Sequence, residues 1–343
     1  MHWIKSFSEI SKNDAHIAGG KGASLGEMTS AFAKAMAGHA GVHNPVPPGF
    51  VITASAFERF LEETDLNVEV DAILKTVDTE NMETVERASE KIQALILAKN
   101  IPDDICSNIL QNYKMLEAEF VAVRSSATAE DSASAAWAGQ LDTYLNTTEE
   151  TLLENVRRCW ASLFTPRAIF YRFELLAKAR RGQDADSTQT YAEAEKVSDA
   201  VVVQKMVNSD CAGIAFSVHP VTEDRNQIII EAAFGLGEAV VSGQITPDSY
   251  VVTKEPREIL DKNLVVQERS LIRANGGIGG NQWVELSPEK GSEQEISDTQ
   301  ILELSEIVLR IEKHYGFPVD VEWALENGTL YIVQSRPITT LSK

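Results

Sequence analysis

Apolar and polar residues follow two different periods along this chain, and both periods occur in each half. Ile301, Leu304 and Val308 recur at the spacing of one helix face, and Gly316 supplies a stop signal after that stripe. Residues 319–325 instead alternate between apolar and polar or small side chains, as a strand with one buried face does. Helices and strands are thus mixed, which predicts an α/β or α+β fold.

A change of composition divides the chain near its middle. Residues 181–196 are polar, acidic and poor in apolar side chains, whereas residues 200–203 begin a β-branched strand pattern. We therefore predict two lobes, residues 1–196 and residues 197–343. The role of the acidic stretch around residues 184–195 is not legible from its residues.

The end of the chain predicts a hairpin whose register depends on its turn. Asn327–Gly328 is a strong two-residue turn signal. A strict two-residue connection would pair Glu322 with Val333. Gln334 would then lie on the opposite face from Glu322.

A second register would collect four polar side chains on one face. A three-residue loop, or a bulge with Gly328 at positive φ, would pair Glu322 with Gln334 and Asp320 with Arg336. We predict this register. Acidic and amide oxygens suit a hard cation such as Mg²⁺, and Arg336 can hold a phosphate beside it. The alternative is the solvated face of a surface hairpin.

The charge balance limits the partners of this chain. Its 51 acidic and 31 basic residues give a formal net charge of −20, which repels nucleic acid and anionic membranes. The apolar runs are too short to cross a bilayer, and the expected location is cytoplasmic. A phosphate site in so acidic a protein must be local, with a few aimed cations, backbone amides and a divalent metal.

Residues 19–24, Gly-Gly-Lys-Gly-Ala-Ser, are one candidate for such a site. Glycines let the backbone approach a phosphate, the following helix offers amide donors, and Lys21 adds a charge. The spacing is not that of a Walker A motif. A flexible turn before a helix is the alternative.

A second candidate is the strand pattern at residues 121–128, which ends in a hydroxyl-rich loop. Arg124 near the strand end can fork onto phosphate oxygens, with Thr128 completing the cradle. A polar loop in which Arg124 pairs with Glu130 or Asp131 is the alternative. The segment that follows supplies amide, carboxylate and hydroxyl groups at Gly139, Gln140, Asp142 and Thr143.

Other segments carry weaker signals. Residues 204–207, which include Gln204, Met206 and Val207, end a strand pattern where backbone can border an adenine edge, but a plain strand end fits equally well. Residues 231–238 contain GxG without the third glycine of a dinucleotide fingerprint. No serine–histidine–acid triad is legible.

Seven motifs occur in the order in which one known family has them. They are GGKGASLGEM (19–28), VPPGFVIT (46–53), VRSSATAED (123–131), AGQLDTYLN (138–146), VVVQKMV (201–207), SGQITPDSYVV (242–252) and DVEWALENGTLYIVQSRPIT (320–339). Together they resemble the nucleotide-binding domain of the phosphoenolpyruvate synthase and pyruvate phosphate dikinase family, which rifampicin phosphotransferase shares. The resemblance spans nearly the whole chain.

The resemblance implies a two-lobed ATP-grasp-like fold with the nucleotide in the cleft between the lobes, and ATP and Mg²⁺ as cofactors. It implies that Lys21, Arg124 and Arg336 act on phosphates, and that Glu322 and Gln334 hold the metal. The remaining nucleotide contacts would come from Thr128, Gly139, Gln140, Asp142, Thr143, Gln204, Met206 and Val207.

The resemblance also implies a reaction that needs a partner. In this family ATP is split to AMP and phosphate by way of a histidine on a separate swivelling domain, and an acceptor is held elsewhere. This sequence ends just after Arg336 and shows no such histidine segment. We therefore expect a histidine-bearing phosphocarrier subunit or domain as partner.

Two origins of the chain fit this pattern. One is a natural split subunit, as in phenylphosphate synthase, where the acceptor is a phenol; the initial methionine and short polar tail favour it. The other is part of a longer synthase that acts on pyruvate. An ATP-sensing module without transfer and a purely structural interaction protein are the alternatives outside this enzyme class.

Overall fold

The computed structural model describes residues 3–36, 45–128, 142–180, 198–274, 280–339 and residue 341. The chain divides into two compact units. Unit 1 comprises Met1–Glu27 and Pro48–Lys205, and unit 2 comprises Met28–Pro47 and Met206–Lys343. Each unit is described by itself below.

Unit 1 combines one sheet with a set of helices. Two short 3₁₀ helices, Phe7–Glu9 and Lys12–Asp14, precede the first α-helix, α1 (Ala15–Met36), whose last residues belong to unit 2. The other α-helices are α2 (Ala54–Glu63), α3 (Leu66–Leu74), α4 (Met82–Ala98), α5 (Asp103–Met115), α6 (Glu149–Ser162) and α7 (Pro166–Arg180).

The sheet of unit 1 has five antiparallel strands in the order β1-β2-β5-β3-β4. Its strands are β1 (Ile4–Ser6), β2 (Gly49–Ile52), β3 (Val121–Ala127), β4 (Thr143–Thr147) and β5 (Asp199–Lys205). Every residue of β2 and β3 is buried, and so is β5 except for Lys205. Central strands covered on both faces carry runs of apolar residues rather than an alternation, which explains the Val201–Val203 run.

The division between the units differs from the predicted boundary after residue 196. β5 belongs to unit 1 because it lies between β2 and β3 in one hydrogen-bonded sheet. Residues 28–47 belong to unit 2, where the Ile332 amide donates to the Pro45 carbonyl at 2.7 Å. Both differences arise from contacts between residues that are distant in sequence.

The core of unit 1 is built around one tryptophan on α6. Trp160 is fully buried, and its ring lies 4.9 Å from that of Phe60 and 5.4 Å from that of Phe57. Aromatic pairs at such distances add to the stabilisation that burial provides. These side chains hold α2 and α6 together beside the sheet.

Unit 2 contains a larger antiparallel sheet in the order β13-β12-β6-β7-β8-β9 and a separate two-stranded ribbon. The six strands are β6 (Cys211–Phe216), β7 (Gln227–Phe234), β8 (Asp248–Thr253), β9 (Glu258–Asn263), β12 (Val319–Glu326) and β13 (Thr329–Pro337). The ribbon consists of β10 (Arg269–Arg273) and β11 (Asn281–Glu285).

Three α-helices accompany this sheet: α8 (Glu238–Val241), α9 (Pro288–Gly291) and α10 (Asp298–Tyr315). α10 is the helix predicted from the apolar stripe. Ser297 caps its start by accepting from the Gln300 amide at 3.3 Å, and Gly316 ends it in the left-handed conformation with φ 78°. The predicted mixed α/β class is confirmed. Among the helices of the described residues, none has the length and apolar character that crossing a membrane requires.

Candidate functional site

The terminal hairpin adopts the predicted register. Glu322 pairs with Gln334, and Asp320 pairs with Arg336. Residues directly opposite each other in an antiparallel pair point to the same face. The four polar side chains are therefore collected on one side of the sheet, as the sequence predicted.

The route to this register differs from both routes that the sequence suggested. Asn327–Gly328 forms a strict two-residue turn between Glu326 and Thr329, with positive φ at both turn residues. The ladder instead shifts at Trp323, which pairs with Ile332 while Glu322 pairs with Gln334. Val333 is the extra residue, so the bulge lies within β13 and leaves the turn undisturbed.

Asp320 and Arg336 form an ion pair within this group. Arg336 Nε donates to Asp320 Oδ2 at 2.7 Å. Asp320 is 7% exposed and Arg336 lies nearer the solvent. Burial raises the pKa of Asp320, and the guanidinium of Arg336 opposes that rise. The ion pair therefore fixes the orientation of the guanidinium while the residue stays accessible.

Glu231 shares this face but was not singled out from the sequence. On β6, Ile214 pairs with Glu322 on one side and with Glu231 on the other, so the two carboxylates lie in one row across the sheet. Burial raises the pKa of Glu231, and the negative charge of Asp320 adds to the rise. The sequence signal for Glu231 is a carboxylate within the otherwise apolar run of β7.

The donor set of this face suits a cation that is shared with a ligand. Glu322 offers a carboxylate and the adjacent Gln334 an amide oxygen, both of which are hard ligands that fit Mg²⁺. Within the described residues no group of three or more histidine, cysteine or acidic side chains is arranged to hold a metal ion. Mg²⁺ usually takes its remaining ligands from water and substrate phosphates, so two protein ligands are compatible with it.

In unit 1, the glycine motif forms a break inside α1. Gly19 has φ 67° and ψ 172°, which are not helical values. A Cβ atom at this position would overlap the carbonyl oxygen of Ser126 on β3. Glycine is thus required twice, for its positive φ and for the close approach to the neighbouring strand. Lys21 follows the break by two residues and is partly exposed.

The same contact brings the two predicted phosphate cations into one neighbourhood. The Gly22 amide, next to Lys21, donates to Ser126 Oγ at 3.2 Å. Arg124 and Ser126 lie two positions apart on β3 and point to the same face. The backbone segments that carry Lys21 and Arg124 are therefore adjacent. The Arg124 side chain is largely buried, and the residue is 9% exposed.

The other predicted residues of unit 1 lie near the ends of β3 and β4. Thr128 Oγ1 donates to the Ser198 carbonyl at 3.1 Å. Thr143 pairs with Arg124 across β3 and β4, and the carboxylate of Asp142 accepts from the Tyr144 hydroxyl at 2.7 Å. Gly139 and Gln140, like the alternative partners Glu130 and Asp131, lie outside the described residues.

The predicted adenine segment spans the junction between the units in sequence. Gln204 is buried on β5 in unit 1. Met206 and Val207 begin unit 2, where Met206 packs against a small apolar cluster and Val207 packs against Ala212 and Ala324. The cluster beside Met206 consists of Leu236, Ala239, Leu271, Ile245 and Trp283. An apolar surface of this kind suits a planar ring.

The predicted residues therefore fall into two groups. Unit 1 brings together the cations Lys21 and Arg124, and unit 2 brings together Asp320, Glu322, Gln334 and Arg336. Burial raises the pKa of the Cys159 thiol behind the first group, where the charges of Asp199 and Asp142 act in the same direction. A buried thiol of this kind is a poor nucleophile.

Comparison with known proteins gives a consistent result along the chain. Residues 15–343 match the family model described as pyruvate phosphate dikinase, AMP/ATP-binding domain. A probable phosphoenolpyruvate synthase of Methanocaldococcus jannaschii is 43% identical over 350 residues, which cover 100% of this chain and 27% of that protein.

Two further relatives carry other names or come from other organisms. The phosphoenolpyruvate synthase of Pyrococcus furiosus is 40% identical over 387 residues, covering 99% of this chain and 44% of the relative. The rifampicin phosphotransferase of Bacillus subtilis is 37% identical over 341 residues, covering 98% of this chain and 36% of the relative. The chain thus spans less than half the length of each of these relatives.

Proposed function

Since this chain belongs to the pyruvate phosphate dikinase AMP/ATP-binding domain family, we propose that it binds Mg·ATP and starts a phosphoryl transfer. The ATP-binding character and the dikinase type come with the family. The metal, the residue roles and the path of the phosphoryl group are our proposal. The hairpin register that sets Glu322 beside Gln334 is the observation that carries it.

The residues of unit 2 hold the metal end of the nucleotide. Glu322 and Gln334 would hold Mg²⁺, which would supply positive charge to the phosphates of the nucleotide. Arg336 has five N–H donors, and its ion pair with Asp320 uses the one on Nε. We assign this guanidinium, which Asp320 orients, to the phosphates of the nucleotide.

Unit 1 contributes its own candidates for phosphate binding. Lys21 lies at the start of a helix, where positive charge and backbone amides favour an anion, and Arg124 adds a forked donor. We assign both to phosphate binding, and the sequence adds Thr128, Gly139, Gln140, Asp142 and Thr143 as candidates for the same role. Gln204, Met206 and Val207 border the adenine. Charge neutralisation and positioning are the main contributions a protein makes to phosphoryl transfer.

The onward path of the phosphoryl group needs a histidine from elsewhere. We propose that ATP is split to AMP and phosphate and that a phosphoryl group passes to a histidine on a separate partner chain or domain. That histidine then phosphorylates an acceptor, for which we propose a phenol if the chain is a split subunit. Relatives named phosphoenolpyruvate synthase support pyruvate as the alternative acceptor. The cytoplasmic location predicted from the sequence stays a prediction.

A binding experiment tests this function. Calorimetric titration of the chain with ATP, with and without Mg²⁺, is expected to show binding that Mg²⁺ strengthens. Glu322→Gln removes the one charged metal ligand, and we expect it to weaken Mg·ATP binding by about tenfold or more while binding of metal-free ATP changes little. Glu326→Gln on the same strand is the matched control and should behave as the unaltered chain. No binding by the unaltered chain, or equal effects of the two variants, would contradict the proposal.

A further inference from the structure

The break in α1 contains a side chain from another element. In a continuous helix the Gly22 amide would donate to the Ala18 carbonyl, four residues earlier. Here Ser126 Oγ lies between these two groups, accepting from Gly22 N at 3.2 Å and donating to Ala18 O at 3.0 Å. One hydroxyl group thus replaces the missing helical hydrogen bond. A side chain inserted into the helical ladder is a recognised cause of a sharp kink.

Ser126 is itself held in place by a buried acid. Asp199 Oδ1 accepts from the Ser126 amide at 3.0 Å and from the Ser125 hydroxyl at 2.7 Å. Ser125, Ser126 and Asp199 are all fully buried. The Ser126 hydroxyl, which we call the wedge, is therefore held firmly by the sheet, and α1 packs against it.

The wedge determines where the second part of α1 begins. Gly19 is the last non-helical residue, so Gly20 is the first residue of the new helical segment and Lys21 the second. An N-cap side chain accepts from the second or third helical amide, and Ser126 takes the third, that of Gly22. Ser126 thus acts as an N-cap supplied from a different strand.

We propose that Ser126 is a positioning residue for phosphate binding, which acts by setting the helix start that carries Lys21. This inference rests on the proposed function. Ser126 lies on the face of β3 that also carries Arg124, so one hydroxyl fixes the spacing of both cations. The Ser126 hydroxyl should strengthen binding of the triphosphate, whereas it should leave binding of the adenosine part of the ligand unchanged.

Ser126→Ala, with Ser125→Ala as control, separates this role from general stability. Both variants remove one fully buried hydroxyl from β3. The Ser126 hydroxyl donates to Ala18 of α1, whereas the Ser125 hydroxyl donates to Asp199 of β5. We expect Ser126→Ala to weaken Mg·ATP binding about tenfold, the fold-change equivalent of a lost helix cap. Adenosine binding, measured by competition, should stay unchanged, and Ser125→Ala should change the two affinities by less than about twofold.

A double substitution tests whether Ser126 acts through Lys21. In a Lys21→Ala background the further effect of Ser126→Ala should fall below about twofold, because the group that the wedge positions is already gone. Equal losses of ATP and adenosine affinity, or an undiminished effect in the Lys21→Ala background, would overturn the proposal. An unaltered chain that fails to bind Mg·ATP would instead contradict the proposed function itself.

Hydrogen exchange on the unaltered chain gives a test that does not depend on a variant folding. The Gly22 amide should be protected to the level of later α1 amides, because Ser126 Oγ accepts its proton. Exchange at the rate of an open helix start would overturn the inference. Protection at Gly22 that Asp199→Asn reduces would support it.

Discussion

Among the single residues of unit 2, Glu295 is a buried acid whose pKa is strongly raised. It is 9% exposed, and Gln267 Nε2 donates to its Oε1. Burial raises the pKa of Glu295 from the ordinary value of 4.5 to about 9, and the negative charge of Asp248 adds to the rise. A backbone hydrogen bond at Phe234 and the charge of Lys290 oppose it. The carboxyl group is therefore protonated in the folded protein at neutral pH.

This raised pKa predicts how stability depends on pH. The folded state holds the proton more tightly than the unfolded chain, so the contribution is complete below 4.5 and is lost as the pH rises towards about 9. Each unit of pKa difference corresponds to about 1.4 kcal/mol. Glu295→Gln should flatten the free energy of unfolding, measured in urea, across this window relative to the unaltered chain. The exposed Glu293→Gln is the control, and parallel profiles for Glu295→Gln and the unaltered chain would refute the assignment.

Residue identity alone predicted most residues of the candidate site but few of the contacts between them. Glu322, Gln334 and Arg336 were legible because hairpin periodicity and turn chemistry act locally. Glu231 was missed because its neighbours on the site face come from β6 and β12, far away in sequence. For the same reason, Arg124 was predictable as a candidate phosphate ligand while the Ser126 contact beside it was not.

At the scale of elements, two glycines with similar positive φ values allow a comparative test of the α1 break. Gly19 has φ +67° and Gly243 has φ +66°, but a Cβ at Gly19 would meet Ser126 whereas one at Gly243 would meet nothing within 4 Å. Gly243→Ala should cost about 1–2 kcal/mol, the strain of a left-handed alanine. Gly19→Ala should cost clearly more, because the backbone of β3 must also move.

Thermal and urea unfolding of both variants measures this difference. Since Gly19 lies in unit 1 and Gly243 in unit 2, a probe that reports each unit separately, such as hydrogen exchange, should accompany it. Equal losses for the two alanine variants would show that α1 does not lie against β3 as described.

The hairpin shows how far local signals reach at this scale. Its turn residues and final pairing were predictable, since Asn327 and Gly328 favour positive φ and the polar residues need one face. The site of the bulge was not, because Val333 is an ordinary strand residue. With the bulge at Val333, β12 pairs with β6 on one side and with β13 on the other. A sequence read as an isolated hairpin lacks that second constraint.

For the whole molecule, the proposed relay predicts a dependence on a partner. The isolated chain with Mg·ATP should bind nucleotide but accumulate little AMP, because no phosphoryl-accepting histidine is assigned to it. Adding a histidine-bearing carrier should make AMP appear together with a phosphohistidine on the carrier. Chromatographic quantification of AMP checks this, and a carrier with that histidine changed to alanine is the control.

The AMP measurement distinguishes phosphoryl transfer from ATP sensing. AMP formation at the same rate without a carrier would refute the relay. Tight binding with no AMP under any carrier would favour the ATP-sensing alternative. Supplying pyruvate or a phenol in the same assay then identifies the acceptor by its phosphorylated product.

The division of the molecule was only partly visible in the sequence. The composition changes near residue 196, whereas β5 beyond that point belongs to the sheet of unit 1. Residues 28–47 lie within the predicted first lobe but belong to unit 2. Domain boundaries depend on which distant segments pair, and composition records only where the chain is polar.

The outermost position of β13 has a consequence for how the ligand and the fold depend on each other. β12 is its one strand neighbour among the described residues, so separating β13 breaks that ladder and the Ile332–Pro45 hydrogen bond while the pairing of the inner strands remains. Gln334 and Arg336 would leave with it. A nucleotide whose metal is bound by Glu322 on β12 and by Gln334 on β13 should therefore hold these two strands together. Its binding should slow amide exchange along β13 more than along β6 or β7.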